Sequence, residues 1–444
     1  MLLILLLLAS VGIIVYTTTK LDLHPFLALI LAALFFGLSS GMDLQVLIDS
    51  IGEGFGNVAG GVGIIIIAGI IIGTFLERSG GAASIAEWVL KRVGRKRVPL
   101  AMSLVGYITS IPVFADSAFV MLAPLNQALT LRARLSLATT VMALVLGLQT
   151  AHTMVPPTPG PIAAAGILGA DLGLVLAIGV PVSFVVVLLG WFYAEKWASR
   201  VELDPAEGLI ETDPKPHPDA PGPAKSFAPI FIPLVLIVLR SVAQLPAQPF
   251  GEGWFASAIG FIGHPLVALL LGVALAFTLP KKLEREMISS SGWVGKALYS
   301  GGVILLITGA SGAFGKVLQN SGIVDLISGA MVGGSLGLWL PFLIAAALRT
   351  AQGSATVALI TTASLLAPLV EPLGLASPEG KALMVLAIGA GAMVASHAND
   401  SMFWIVTQMS GMDVKTGYRL QTVLTTALGF SAAFLLWLVG LVLL

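Results

Sequence analysis

The sequence contains no cysteine and few charged residues. Without cysteine, disulfides, iron–sulfur clusters and thiolate metal sites are excluded. Charged residues make up 10% of the 444 residues, against about 25% in soluble proteins, so the chain cannot build an ordinary water-facing surface. Lys and Arg number 23, as do Asp and Glu, and there is no basic tract long enough to hold nucleic acid. A soluble enzyme and a nucleic-acid-binding protein are therefore not expected.

Long apolar runs dominate the chain, in which 57% of the residues are hydrophobic. A spanning helix needs about 20 apolar residues, so an all-α integral membrane protein is predicted. Met1 to Val15 has no basic n-region and no following cleavage site, which favours a first span over a signal peptide. The apolar runs cover 2–19, 24–40, 59–77, 98–130, 137–166, 172–195, 227–245, 258–279, 299–318, 338–370, 380–409 and 418–444.

Two runs, 98–130 and 338–370, are too long for one crossing and are interrupted near their middle. Ile111-Pro112 together with Asp116-Ser117 interrupts the first run, and the stretch from Arg349 to Thr356 interrupts the second. Each run is predicted to be a re-entrant hairpin, because non-helical backbone at membrane depth needs protein or a water-filled cavity around it.

Two further runs, 137–166 and 380–409, are predicted to be helices that break at the midplane. Four prolines between 155 and 161 remove backbone donors from the first run. In the second run, the side chains of Asn399 and Asp400 compete with helical backbone bonds.

The segment 196–226 is rich in acidic residues and proline and is predicted to be a solvated cytoplasmic linker. It divides the chain into parts with matching segments. His24-Pro25 recurs as His264-Pro265 at an offset of 240, and Gly60-Gly61 recurs as Gly301-Gly302 at an offset of 241. Two further matches follow in the same order, so 1–195 and 227–444 are predicted to be a structural repeat.

The placement of Lys and Arg predicts that the two repeats are inverted. The basic loop after residue 90 is assigned to the cytoplasm, and its counterpart after residue 318 has no base until Arg349. The predicted loop 41–57 is acidic, while its counterpart near Lys281 is basic. Each half would contain about five transmembrane helices and one re-entrant hairpin, with both termini periplasmic. Such inverted repeats are typical of alternating-access transporters.

Polar side chains at membrane depth are costly and mark functional sites. Unwound helix ends suit a carboxylate, and the planar fork of Arg349 can grip one with two hydrogen bonds. Alternatively, Arg349 forms a structural ion pair with Asp116 or Asp400, or reaches the outer surface. The candidate substrate-binding residues are Arg349, Gln352, Ser354, Thr356, Ser117, His152, Thr158, His397 and Asn399.

Asp116 and Asp400 are the candidate proton carriers, and the alternative for either of them is to neutralise Arg349. His152 and His397 could donate to substrate hydroxyls or serve as structural hydrogen-bonding groups. No metal site and no cofactor are predicted, and the sequence has no HExxH motif.

Five segments resemble the gluconate permease family of proton symporters, within the ion transporter superfamily. They are GTFLERSGGA at 73–82, IPVFADSAFVMLAPL at 111–125, VPPTPGP at 155–161, RTAQGSATVA at 349–358 and SHANDSMFW at 396–404. The resemblance implies a bacterial inner-membrane importer of gluconate or a related hydroxy acid, driven by the proton gradient. The family motifs fall on Asp116, Arg349, Ser354, Thr356, His397, Asn399 and Asp400.

One departure from the family pattern touches the predicted site. Thr158 stands where family members often have His, as in PPHPGP. Some relatives carry other small acids, including D-serine and glycerate-like compounds, so this departure bears on the exact substrate.

The expected protein is a secondary active transporter, not an enzyme. It would import gluconate or a related small hydroxy carboxylate by proton symport through alternating access. The first alternative is a sodium-coupled transporter of the same fold for a carboxylate or a small D-serine-like amino acid, and a more remote one is a channel. By analogy with transporters that move as elevators, a homodimer is suggested.

Overall fold

The computed structural model describes residues 2–93, 97–203, 219–244, 249–251, 253–323, 337–398 and 400–444, which form helices and turns and no strand. The first half contains α1 (Leu2–Lys20), α2 (Pro25–Ser39), α3 (Leu44–Arg78), α4 (Gly81–Val93), α5 (Val98–Ser110), α6 (Ala115–Ala133), α7 (Leu137–Met154), α8 (Pro159–Leu168) and α9 (Leu172–Lys196). The second half contains α10 (Pro223–Ala243), α11 (Trp254–Ile262), α12 (Pro265–Ala276), α13 (Trp293–Asn320), α14 (Trp339–Gln352), α15 (Ala355–Leu366), α16 (Pro378–Ala392), α17 (Ser401–Ser410) and α18 (Val414–Leu443). A π turn, Tyr418–Thr422, lies within α18.

Six of the described helical segments are long and apolar enough to cross a bilayer: α3, α7 with α8, α9, α10, α13 and α18. The pair α11 and α12, bent by 66°, would make a seventh. This bend divides the apolar run 258–279, because Gly263, His264 and Pro265 end one helix and begin the next. The prediction of an all-α, multi-pass membrane protein is confirmed.

The prediction of a loop over 41–57 is wrong, because α3 already begins at Leu44. Asp43 caps this helix by accepting hydrogen bonds from the backbone N–H groups of Gln45, at 2.9 Å, and Val46, at 3.2 Å. The polar turns of α3 then pack against α13. A Cβ on Gly54 would lie 2.4 Å from the carbonyl oxygen of Gly312, so the two helices meet backbone to backbone.

The centre of the molecule is formed by α7 and α8, whose most apolar stretch is entirely buried within the protein. Every residue of α7 is buried, with α5 and α9 packed against it. The apolar composition of this segment therefore serves packing between helices, and it holds the end of α7 rigidly in the interior.

The matched segments His24-Pro25 and His264-Pro265 start their helices in the same way. In each, the histidine Nδ1 accepts a hydrogen bond at 3.3 Å from the backbone N–H two residues later, and the proline occupies the first helical turn. The two halves thus share this local capping structure.

Residues 204–218, the middle of the predicted linker, lie outside the described residues. The first residues of the linker pack beside the start of α7. Ser136 Oγ donates to the backbone carbonyl of Val201 at 2.6 Å, and the N–H of Leu137 donates to the backbone carbonyl of Leu203 at 2.9 Å. The linker therefore leaves α9 along the folded body, and α10 begins at Pro223 rather than at residue 227.

Candidate functional site

The helix that ends at Met154 is interrupted by prolines. Pro156 and Pro157 lie in the break between α7 and α8, and Pro159 occupies the first turn of α8, where a missing N–H costs nothing. His152 therefore lies on the last turn of α7, and its side chain is held at the end of a buried helix.

The second broken helix is interrupted between Ala392 and Ser401. Ala395 takes a left-handed conformation with φ of 53°, and Asp400 begins α17 by accepting a hydrogen bond from the N–H of Met402 at 3.1 Å. Asn399, a predicted substrate-binding residue, lies outside the described residues.

The two long runs each form a pair of helices joined by a short break. Residues 111–114 separate α5 from α6, and Gly353, with φ of 80°, ends α14. Ser354 then caps α15 by accepting from the N–H of Val357 at 3.3 Å. A left-handed φ is readily adopted by glycine, so Gly353 permits the sharp reversal that brings Arg349 and Thr356 to the same tip.

These interruptions meet around one cavity of about 470 Å³. Three helices, α6, α15 and α17, begin at its wall, so the positive ends of three helix dipoles are directed towards it. The cavity brings together eight of the predicted site residues, namely Asp116, Ser117, His152, Arg349, Gln352, Ser354, Thr356 and Asp400.

Among the residues that the structure describes, Arg349 is the only Lys or Arg that lines this cavity, and its side chain is 1% exposed. Its Nη2 donates to Asp400 Oδ2 in a buried ion pair. Its other nitrogens, Nε and Nη1, are buried and have no hydrogen-bond partner within the described chain. A buried guanidinium with two unused nitrogens is costly, and those nitrogens suit oxygen acceptors of an anionic ligand.

Asp400 is fully engaged by groups of the protein. Its Oδ2 accepts from Arg349 and from Ser396 Oγ, while its Oδ1 accepts from the N–H of Met402. Asp400 is therefore both the counter-ion of Arg349 and the cap of α17.

Asp116 has a different environment. It is half-buried at the start of α6 and lines the cavity, and its Oδ2 accepts from Ser401 Oγ at 2.7 Å. This bond joins the first hairpin to α17 of the second half. Both carboxyl groups line the cavity, but Asp116 is half-buried, whereas Asp400 is buried and held by three hydrogen bonds.

The remaining polar groups of the cavity include several without partners in the described chain. His152 Nε2 lies 3.4 Å from Thr356 Oγ1, but its Nδ1 is unpaired, and so are Gln149 Oε1 and both amide atoms of Gln352. This set contains donors and acceptors, as recognition of hydroxyl groups requires.

Two predicted residues do not line the cavity. Thr158 Oγ1 donates to the carbonyl of Val155 at 2.8 Å, inside its own break. The ring of His397 stacks on Tyr418, and its Nε2 lies 2.8 Å from the carbonyl oxygen of Thr350. Both side chains support the surrounding backbone.

Two polar residues of the cavity, Gln149 and Ser401, were not among the predicted site residues. Gln149 precedes His152 by three residues and so shares its helix face, a signal that the sequence carried. Ser401 follows Asp400 directly, and only the start of a helix there directs its hydroxyl to Asp116.

The chain is similar to known permeases over nearly its whole length. The model of the GntP family permeases matches residues 1–442. An inner membrane permease of Escherichia coli, YgbN, is 37% identical over 97% of each chain, and a gluconate permease of Pseudomonas aeruginosa is 34% identical over 98% of this chain and 96% of its own. The crystal structure of the Alcanivorax borkumensis YdaH transporter shares the fold, with a TM-score of 0.65 at 16% identity, covering 94% of this chain and 99% of that one.

Proposed function

Since the chain belongs to the GntP permease family, we propose that it imports gluconate or a related small hydroxy carboxylate by proton symport through alternating access. A family of permeases agrees with the expectation of a transporter rather than an enzyme. The relatives include a protein named gluconate permease, which supports a sugar acid as the substrate.

One observation carries the proposal, namely that Arg349 presents Nε and Nη1 without partners in the described chain at a cavity where three helices begin. Asp400 neutralises the guanidinium through Nη2 alone. Nε and Nη1 lie on different edges of the guanidinium plane, so the substrate carboxylate would accept from one of them and a second oxygen of the substrate from the other. The helix N-termini would add favourable potential.

The hydroxyl groups of the substrate would be bound by Gln352, Gln149 and His152. Each hydroxyl donates one hydrogen bond and accepts others, and these side chains offer unpaired donors and acceptors in the described chain. The volume of about 470 Å³ lies within the range of small-molecule sites, roughly 300–1,000 Å³. Ser354 and Thr356 complete the tip of the second hairpin.

The co-transported proton would bind Asp116 rather than Asp400. Asp400 accepts three hydrogen bonds from the protein and caps a helix, so its protonation would break the pair with Arg349. Asp116 accepts from Ser401 and lines the cavity, where a proton can reach it together with the substrate.

Alternating access would rest on an inverted repeat of 1–195 and 227–444, joined by a cytoplasmic linker. The contacts Asp116–Ser401 and His152–Thr356 place the cavity between the two halves, and the matching helix starts at His24 and His264 support the repeat. We place the protein in the bacterial inner membrane with both termini periplasmic, and we propose an elevator-type motion within a homodimer.

The test is uptake of labelled D-gluconate into sodium-free proteoliposomes with an inward proton gradient. Concentrative uptake that a protonophore abolishes would support both substrate and coupling. Uptake that requires sodium at zero pH gradient would replace the proton by sodium, and equilibration without accumulation would indicate a channel. If gluconate is not taken up, direct uptake of labelled smaller hydroxy acids and of labelled D-serine would identify the substrate.

A further inference from the structure

Side chains of the last helix, α18, form hydrogen bonds with the backbone of the second break. Thr422 Oγ1 donates to the carbonyl of Ser396 at 2.6 Å, and the N–H of Ser396 donates to Thr425 Oγ1 at 3.2 Å. Both backbone groups of Ser396 are thereby satisfied by one helix, although Ser396 lies in an unwound, buried segment. Such bonds stabilise one conformation of the break.

A side-chain relay leads from the same helix to the ion pair. Gln421 is fully buried, and its Nε2 donates to Ser396 Oγ at 2.9 Å. Ser396 Oγ in turn donates to Asp400 Oδ2, the oxygen that pairs with Arg349. A hydroxyl has one hydrogen and an ionised carboxylate can only accept. The amide donor of Gln421 therefore leaves the Ser396 hydrogen directed at Asp400.

The same part of α18 also contacts α14 through His397, at Thr350, the residue that follows Arg349. The ring of Tyr418 stacks on His397 with centroids 6.3 Å apart, and His397 Nε2 lies 2.8 Å from the carbonyl oxygen of Thr350. Tyr418 is the first residue of the π turn Tyr418–Thr422, and Gln421 lies inside it. Such π turns occur frequently at functional sites. Two lines of contact thus run from one turn to Arg349 and Thr350.

Folding stability does not explain why a glutamine occurs at position 421. Its Oε1 is buried and has no partner within the described chain, which costs free energy that an apolar side chain of similar size would avoid. Gln421 does not line the cavity, so it has no direct contact with a ligand there.

We infer that Gln421 is a positioning residue, which acts through Ser396 and Asp400 to hold the Arg349 guanidinium in the orientation that binds the substrate anion. The inference rests on the proposed function. Without the Gln421 donor, the Ser396 hydroxyl is free to rotate, Asp400 loses a fixed hydrogen bond, and Arg349 follows its counter-ion. The substrate affinity then falls although no group that touches the substrate has changed.

The first experiment measures KM and Vmax for labelled D-gluconate in proteoliposomes of Gln421→Met, Ser396→Ala and the double variant. Gln127→Met is the matched control, because Gln127 is also buried in a helix and donates to a backbone carbonyl, that of Met409, at 2.8 Å. Gln421→Met should raise KM by roughly tenfold, the size expected for one buried hydrogen bond to a charged site, with Vmax and thermal stability near those of the wild type.

The double variant separates positioning from general packing. If Gln421 acts through Ser396, adding Gln421→Met to Ser396→Ala should raise KM no further. Additive effects on KM, or a wild-type KM in Gln421→Met, would overturn the inference.

A second measurement does not depend on the substrate. The N–H of Met402 donates to Asp400 Oδ1, so its hydrogen exchange reports on the orientation of Asp400. Gln421→Met and Ser396→Ala should speed exchange in the peptide that contains Met402, and Gln127→Met should not. Unchanged exchange in Gln421→Met would overturn the inference, whereas absence of gluconate uptake by the wild type would overturn only the proposed substrate.

Discussion

Arg349 and Asp400 form a buried ion pair in which the carboxylate engages only Nη2 of the guanidinium. The pair neutralises the charge of Arg349 and still leaves Nε and Nη1 without partners in the described chain. Arg349 can therefore pair with a carboxylate of the protein and also bind a ligand, although the sequence presents these two roles as alternatives.

Substitution of Arg349 should separate these two roles. Arg349→Lys keeps the positive charge but loses the planar fork, so the protein should fold and take up gluconate at least about tenfold more weakly at low substrate. Arg349→Gln leaves Asp400 as a buried, unpaired charge and should destabilise the fold by about 3–5 kcal/mol. Transport kinetics and thermal unfolding in detergent measure the two effects.

The double variant Arg349→Gln/Asp400→Asn provides the control. Neutralising both partners removes the unpaired charge, so stability should recover while uptake stays lost. Recovery of uptake in this variant would show that Arg349 does not bind the substrate.

Asp116→Asn should abolish accumulation driven by the proton gradient and preserve counterflow exchange. The amide keeps the size of the side chain but cannot bind and release a proton, so the carrier would still move with its substrate. Counterflow and gradient-driven uptake are measured in the same proteoliposomes, with the exposed Asp49→Asn as a control. Unchanged accumulation in Asp116→Asn would transfer the coupling role to another group.

The main polar groups of the site could be predicted because they interrupt apolar runs. Asp116, His152 and Arg349 stand in segments that would otherwise be continuous spans, where a polar side chain costs free energy. The same reasoning predicted the interruptions of the long runs, since proline and glycine at their centres prevent regular helix.

The partners of these groups could not be predicted, because they depend on the conformation of the breaks. Thr158 and His397 occupy breaks, and there their side chains turn to nearby carbonyl groups instead of the cavity. The contacts of Ser401 and Gln421 can be recognised only when the positions of α17 and α18 in the fold are known. Likewise, the acidic stretch before residue 57 is helical because α13 packs against it, a contact between residues distant in the sequence.

Gln352 should determine how well the protein distinguishes long from short hydroxy acids. Both of its amide atoms are buried without a partner in the described chain, so the hydroxyl chain of gluconate would satisfy them. Gln352→Leu should raise the KM for gluconate roughly tenfold or more and change the inhibition constant of lactate, which lacks the outer hydroxyls, by less than about threefold. Competition uptake measures both constants, and an equal loss for the two acids would contradict this role.

Gly73 should be essential for transport because of its contact with the first hairpin. A Cβ at this position would lie 2.1 Å from the carbonyl oxygen of Pro112, so Gly73→Ala must displace the tip that carries Asp116. The expected cost of such overpacking is about 1–3 kcal/mol, and uptake should fall by more than about tenfold.

Gly61→Ala, in the same helix, is the matched control because no atom lies within 4 Å of the added methyl group. Since alanine favours a helix over glycine by about 1 kcal/mol, Gly61→Ala should keep full uptake and lose no thermal stability. Equal uptake by the two variants would show that the contact between α3 and the hairpin tip does not position Asp116.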